Sequence, residues 1–187
     1  MKNLFLTLAV LASTSVAYQI TAQSIASGNI YSASGETVAV YTLHHPTCFN
    51  TATGTVSFEL MSDSYSVEWI DGSNNTTYKQ LYAGNYQFKI ITPTSTIDSK
   101  VSLQQPDQLT GSITQIKNNN TYTLNLEVEG GVDPYTYSWN NGSESQNLNG
   151  LSKPGTYTVV VSDKNNCTLT IQSKIKAMIK PNLDIKN

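Results

Sequence analysis

The sequence predicts an all-β chain built from two tandem β-sandwich domains. Three observations predict it: a residue pattern that occurs twice, period-two alternation of apolar side chains inside each copy, and turn dipeptides between the alternating runs.

The repeat comes first. Asp63-Ser64-Tyr65-Ser66-Val67-Glu68-Trp69-Ile70-Asp71-Gly72 is matched by Asp133-Pro134-Tyr135-Thr136-Tyr137-Ser138-Trp139-Asn140-Asn141-Gly142. Downstream, Leu81 and Gly84-Asn85-Tyr86 are matched by Leu151 and Gly155-Thr156-Tyr157, with a single extra residue before Gly155. Upstream, Val56 and Phe58 fall opposite Leu126 and Val128. Each feature alone is weak. Trp, turn Gly, Leu and Gly-x-Tyr in the same order, twice, mark a duplication.

Alternation then locates the strands. Val56, Phe58 and Leu60 alternate with polar residues, as do Tyr86, Phe88 and Ile90 in the first unit. In the second unit the sets are Leu124, Leu126, Val128 and Tyr157, Val159, Val161. Such spacing places apolar side chains on one face of a sheet. Asp71-Gly72 and Asn141-Gly142 are turn dipeptides suited to positive φ. No segment shows a helical period, and Ile175, Met178 and Ile179 read as part of a last strand.

Two cues select the immunoglobulin-like version of the sandwich. Trp69 and Trp139 each stand late in a short strand, read as central, where a buried aromatic fills the space between sheets. Leu-x-x-Gly-x-Tyr followed by alternation has the form of a tyrosine corner, with Gly84 and Tyr86 as carriers in one unit and Gly155 and Tyr157 in the other. The expected organisation is a signal peptide over 1–22, a polar lead segment over 23–36, a degenerate first repeat over 37–106 and a second repeat over 107–187. The lead is either a loose arm or an added edge strand. Pro106 lacks an N–H and marks the boundary, and Lys180-Pro181-Asn182-Leu183 repeats that ending after the second unit.

The first residues read as a targeting segment. Lys2 precedes an apolar run from Leu4 to Ala12, small residues follow, and cleavage after Ala17 or Ala22 fits the small-residue rule. Read instead as a membrane helix, the apolar core is too short, and Ser13, Thr14 and Ser15 interrupt it. No Cys stands near either cleavage position to carry a lipid, and no later segment is apolar enough to cross a membrane. The formal net charge is −2 and only 13% of residues are charged, so no basic stripe exists to hold nucleic acid.

In its second unit, Gly130-Gly131-Val132-Asp133-Pro134-Tyr135-Thr136-Tyr137-Ser138-Trp139-Asn140-Asn141-Gly142 resembles the SprB repeat of Bacteroidetes surface proteins. Leu151, the run Gly155 to Asp163, and Asn166-Cys167-Thr168 extend the likeness. The first unit resembles a degenerate copy that keeps Cys48-Phe49, Tyr65, Trp69, Gly72, Leu81, Gly84 and Tyr86. Polycystic-kidney-disease-type immunoglobulin-like domains share the Trp and the Gly turn. The resemblance covers about residues 37 to 181. It implies a non-catalytic adhesion or spacer protein, expected at the cell surface, outside the cell or in the periplasm, that meets a protein or a glycan. The alternatives are a carbohydrate-binding module and a secreted hydrolase.

The resemblance also implies a Cys near the start and near the end of each repeat. Here Cys48 keeps the first position in one unit and Cys167 the second position in the other. Taken as equivalent poles of end-to-end sandwiches, they would lie roughly a strand length, about 20 Å, apart. They are therefore expected as two small buried thiols, and a bond between them would require the units to fold back side by side.

Remaining candidates carry little chemistry. His44 and His45 are adjacent, so on a strand they point to opposite faces and do not readily share a metal. Asp63, Asp71, Asp133 and Asp163 recur near turns without an Asp-x-Asp-x-Asp-Gly loop, and such residues usually hold their own backbone. No cofactor or catalytic group is expected. Tyr78 and Tyr82, in a polar, turn-rich stretch, are the candidate ligand contacts, with Tyr31 and Tyr41 nearer the start.

Overall fold

A computed structural model describes residues 25–177. The signal-peptide reading, the assignment of Met178 and Ile179 to the last strand, and the Lys180–Leu183 ending lie outside the described residues.

The described residues form thirteen strands and no helix. The first unit contains β1 (Ile25–Tyr31), β2 (Thr37–His44), β3 (Gly54–Leu60), β4 (Ser66–Trp69), β5 (Thr77–Leu81), β6 (Gly84–Ile91) and β7 (Thr96–Leu103). The second contains β8 (Thr110–Asn118), β9 (Thr121–Glu129), β10 (Thr136–Trp139), β11 (Leu148–Leu151), β12 (Gly155–Ser162) and β13 (Thr168–Ile175). In unit one a sheet ordered β1-β2-β3-β5 faces a sheet ordered β4-β6-β7; in unit two β11-β9-β8 faces β10-β12-β13. All recorded pairings are antiparallel. Setting β1 aside, both units have one strand order, and it is that of an immunoglobulin-like sandwich without its fourth first-sheet strand.

The alternating sets face inward. Val56, Phe58, Phe88 and Ile90 join one core; Leu124, Leu126, Val159 and Val161 join a separate one. Trp69 and Trp139 are 2% and 3% exposed. They end β4 and β10, which are edge strands rather than central ones. Burial depends on which face a side chain takes, so an edge position does not expose them. Each indole N–H is satisfied at an equivalent place, Trp69 Nε1 by the Asn75 carbonyl (2.9 Å) and Trp139 Nε1 by the Ser145 carbonyl (2.8 Å).

The turn after each Trp is also duplicated. Gly72 and Gly142 donate back to the carbonyls of Trp69 and Trp139 at φ of 81° and 85°, where a side chain would be strained. Asp71 Oδ1 accepts from Ser73 N (2.9 Å), and Asn141 Oδ1 from Ser143 N (3.1 Å). Further on, Gln80 (φ 59°) occupies in unit one the bulge that Gly150 (φ 67°) occupies in unit two. Residues 25–31 of the polar lead form β1, which pairs along β2.

Candidate functional site

The two units meet end to end. The connection from β2 to β3, residues 45–53, lies at the end of unit one where β7 leaves. The β9–β10 connection and the β12–β13 turn lie at the end of unit two that receives the linker. Cys48 sits in the first of these loops and Cys167 in the last.

The expectation of two separate thiols is overturned. Cys48 and Cys167 form a disulfide, with their Cα atoms 5.7 Å apart. The reason is polarity of position. The two residues stand at opposite poles of their own units, and end-to-end stacking brings those poles together without any fold-back.

Asp163 builds the unit-two side of this junction. It is 4% exposed, and its carboxylate accepts three backbone N–H groups: Asn165 and Cys167 on Oδ1 (both 2.8 Å) and Val132 on Oδ2 (3.0 Å). Three charge-assisted bonds offset the burial of the carboxylate. They hold the cysteine-bearing turn against the β9–β10 connection. Gly131, at φ 63°, leaves the room this needs, since a Cβ there would stand 2.8 Å from Asp163 Oδ2.

Unit one reaches across with backbone. The Thr47 carbonyl accepts from Asn165 Nδ2 at 2.7 Å. The linker is held from both sides: Gln104 N donates to His45 Nδ1 (3.0 Å), Asn50 N to Gln105 Oε1 (2.8 Å), and Gly131 N to the Asp107 carbonyl (2.9 Å). Pro46 and Pro106 are buried here. Beside the disulfide is a cleft of about 460 Å³ lined in part by Phe49, Pro106, Leu109 and Leu169.

His45 gives the junction a pH dependence. Burial, then the neighbouring His44, lowers its pKa from 6.5. Its Nδ1 is already an acceptor, so the neutral ring is the form that fits. The folded state therefore binds this proton less readily than the unfolded chain. The contribution is present above pH 6.5 and is lost as pH falls through that value and the lowered folded one. The thermal midpoint is expected to drop on acidification across this window. His45→Gln is expected to flatten the dependence in thermal melts; an identical slope in the variant would assign it elsewhere.

The other singled-out residues scatter. Tyr86 donates its hydroxyl to the Tyr82 carbonyl (2.9 Å) and Tyr157 to the Lys153 carbonyl (3.1 Å), each pinning the segment before β6 and β12, which Gly84 and Gly155 open. Burial pushes the Tyr86 hydroxyl up. Tyr78 lays its ring 4.8 Å from that of Trp69 and donates its hydroxyl to Asp71 (2.6 Å). That bond lowers the Asp71 pKa and raises that of Tyr78. Tyr78 is half-buried against the unit-one core, and Tyr82 is exposed. His44 is exposed at the end of β2, and Asp63 and Asp133 lie outside the junction network. Tyr31 is exposed at the end of β1, and Tyr41 packs against the unit-one core. Among the described residues no group of three or more His, Cys, Asp or Glu could hold a metal ion, and no helix is long and apolar enough to cross a membrane.

Gln105 falls in the boundary segment 105–109 that the sequence marks, whereas Thr47, Asn165 and Gly131 were not legible as junction residues. Their partners are remote in sequence or are backbone atoms, and neither leaves a local pattern. The cluster Asp163, Asn165, Asn166, Cys167 was the one available signal, a tight turn carrying a cysteine.

No family model matches the chain, and no curated protein matches it. Among solved structures it is similar to the C-terminal 282-residue fragment of intimin in complex with the intimin-binding domain of the translocated intimin receptor. The identity there is 18% over 80% of this chain and 62% of that fragment, with a TM-score of 0.38. It is similar to the IG1+IG2 region of DIP-gamma (11% identity, 71% of this chain and 92% of that one, TM-score 0.35). It is also similar to extracellular domains 3–5 of Drosophila OTK (11%, 75% and 71%, TM-score 0.37). The chain thus spans less than two thirds of the intimin fragment. Its own strand order and its two closed cores make it a tandem immunoglobulin-like β-sandwich protein.

Proposed function

We propose that this chain is an exported, non-catalytic adhesion or spacer protein of SprB-repeat type, working at the cell surface or in the periplasm against a protein or a glycan. The observation that carries the reading is the clamped junction. A disulfide, the hydrogen bond from Asn165 to the Thr47 carbonyl and a short held linker join two sandwiches end to end. Such a joint transmits position between its ends, which is what a spacer or adhesive stalk requires. A disulfide also persists in oxidising compartments, which supports export.

Fractionation of native cells tests this. The mature chain is expected in the envelope or the medium, with Cys48 and Cys167 unreactive toward alkylation until reduced. A cytoplasmic chain with alkylatable thiols would overturn export. Deleting the chain is expected to lower attachment of the cells to a surface or to one another. Unchanged attachment, with the chain shown to reach the outside, would remove the adhesive half of the proposal.

A further inference from the structure

We propose that β1 is a self-pairing edge, through which two copies of this chain join their β1-β2-β3-β5 sheets into one continuous antiparallel sheet. The inference goes beyond the functional reading above and does not depend on it.

β1 has no counterpart in unit two. There, β8 occupies the equivalent edge and packs against β13, with Gln115 Nε2 donating to Ser173 Oγ and the Lys174 carbonyl. In unit one β1 pairs with β2 on one side, and among the described residues no strand pairs with its other side.

Sheet edges attract other strands, and proteins usually guard them with charge, brevity or bulges. The other edges in this chain are guarded. β4 and β10 have four residues each, and β11 has four with a register shift. β5 carries Lys79 and the left-handed Gln80, β7 carries Asp98 and Lys100, β8 carries Lys117, and β13 carries Lys174. β1 has seven residues, IASGNIY, with no charge and no proline, and the one register shift in its pairing, at Ile30/Tyr31, places the extra residue, Val38, on β2 and not on the free-edge strand.

Its pattern is also self-complementary. Ser32 N donates to the Glu36 carbonyl across the β1–β2 hairpin. Strand alternation then turns the N–H and C=O groups of Tyr31, Asn29, Ser27 and Ile25 toward the free edge. A two-fold axis at Gly28 pairs Ser27 with Asn29 of the second copy and Ile25 with Tyr31 of the second copy. These four residues are the ones whose backbone groups face outward, so every outward donor and acceptor is met. Ile25 and Tyr31 are 59% and 54% exposed. They lie on one sheet face, and the pairing sets each against the other, an aromatic with a β-branched side chain. Asn29 Nδ2 donates to the Tyr31 hydroxyl (3.1 Å), which holds the ring over that face.

Sedimentation velocity over a concentration series tests the proposal on the parent chain, Asn29→Pro and Ser27→Lys. The Asn29 N–H faces the free edge, so proline there removes no backbone bond within the monomer; it loses only the exposed side-chain bond from Asn29 Nδ2 to the Tyr31 hydroxyl, which Ser27→Lys leaves in place. The parent is expected to show a monomer–dimer equilibrium, and each variant to weaken it at least about tenfold with an unchanged thermal midpoint at high dilution. Hydrogen exchange at Ile25, Ser27, Asn29 and Tyr31 is expected to slow as concentration rises. The proposal is overturned if the parent stays monomeric to about 1 mM, the weak end of specific association. It is equally overturned if the dimer survives in a folded Ser27→Lys, or if β1 pairs only with a different protein.

Discussion

Trp139→Ala is expected to unfold unit two while unit one keeps its own cooperative transition. The replacement empties the centre of a core that Leu124, Leu126, Val159 and Val161 close around. Truncating a buried tryptophan costs about 3–5 kcal/mol, against a total of about 5–15 kcal/mol for an ordinary domain. It also leaves the Ser145 carbonyl without its indole donor. The chain contains two tryptophans, so the fluorescence of the variant reports on Trp69 and unit one alone. Trp69→Ala is the mirror experiment, and its loss is expected to be the larger. Trp69 has three aromatic neighbours, Phe58, Phe88 and Tyr78, with ring centroids at 5.5, 5.4 and 4.8 Å. Calorimetry showing one shared transition, lowered equally by either change, would contradict the separation of the two cores.

Breaking the junction is expected to have the second largest effect. Cys48→Ser together with Cys167→Ser removes a link that spans 119 residues of chain. Closing loops of that size is worth about 2–5 kcal/mol, chiefly through restriction of the unfolded chain. The Asn165–Thr47 hydrogen bond and the held linker remain, so each unit should still fold. Chemical denaturation is expected to resolve into two transitions, and small-angle scattering to report a broader distribution of lengths than for the parent. A double variant with the parent's scattering profile and midpoint would show that the noncovalent contacts alone set the joint.

Legibility of the fold follows the range of each interaction. Val56, Phe58, Phe88 and Ile90 betray their strands because alternation is written in adjacent residues. Gly72 and Gly142 betray their turns because a positive φ is a demand made on one position. Residues 25–31 carry no such alternation, which is why β1 could be read as an arm or as a strand. Its order comes from β2. Trp69 and Trp139 could be placed inside by their neighbours, yet the position of β4 and β10 at sheet edges depends on which strands stand beside them. The cysteines were misjudged for a related reason. Spacing along the chain does not say which pole of a sandwich a loop occupies.

From its residues alone this protein was committed to two immunoglobulin-like sandwiches, because strand period, turn chemistry and duplicated core positions all act within a few residues. The joint between them was decided only in three dimensions. Cys48 meets Cys167, and Thr47 meets Asn165. Each of these contacts depends on how whole units stack, and stacking is set by complementary surfaces that no local pattern records.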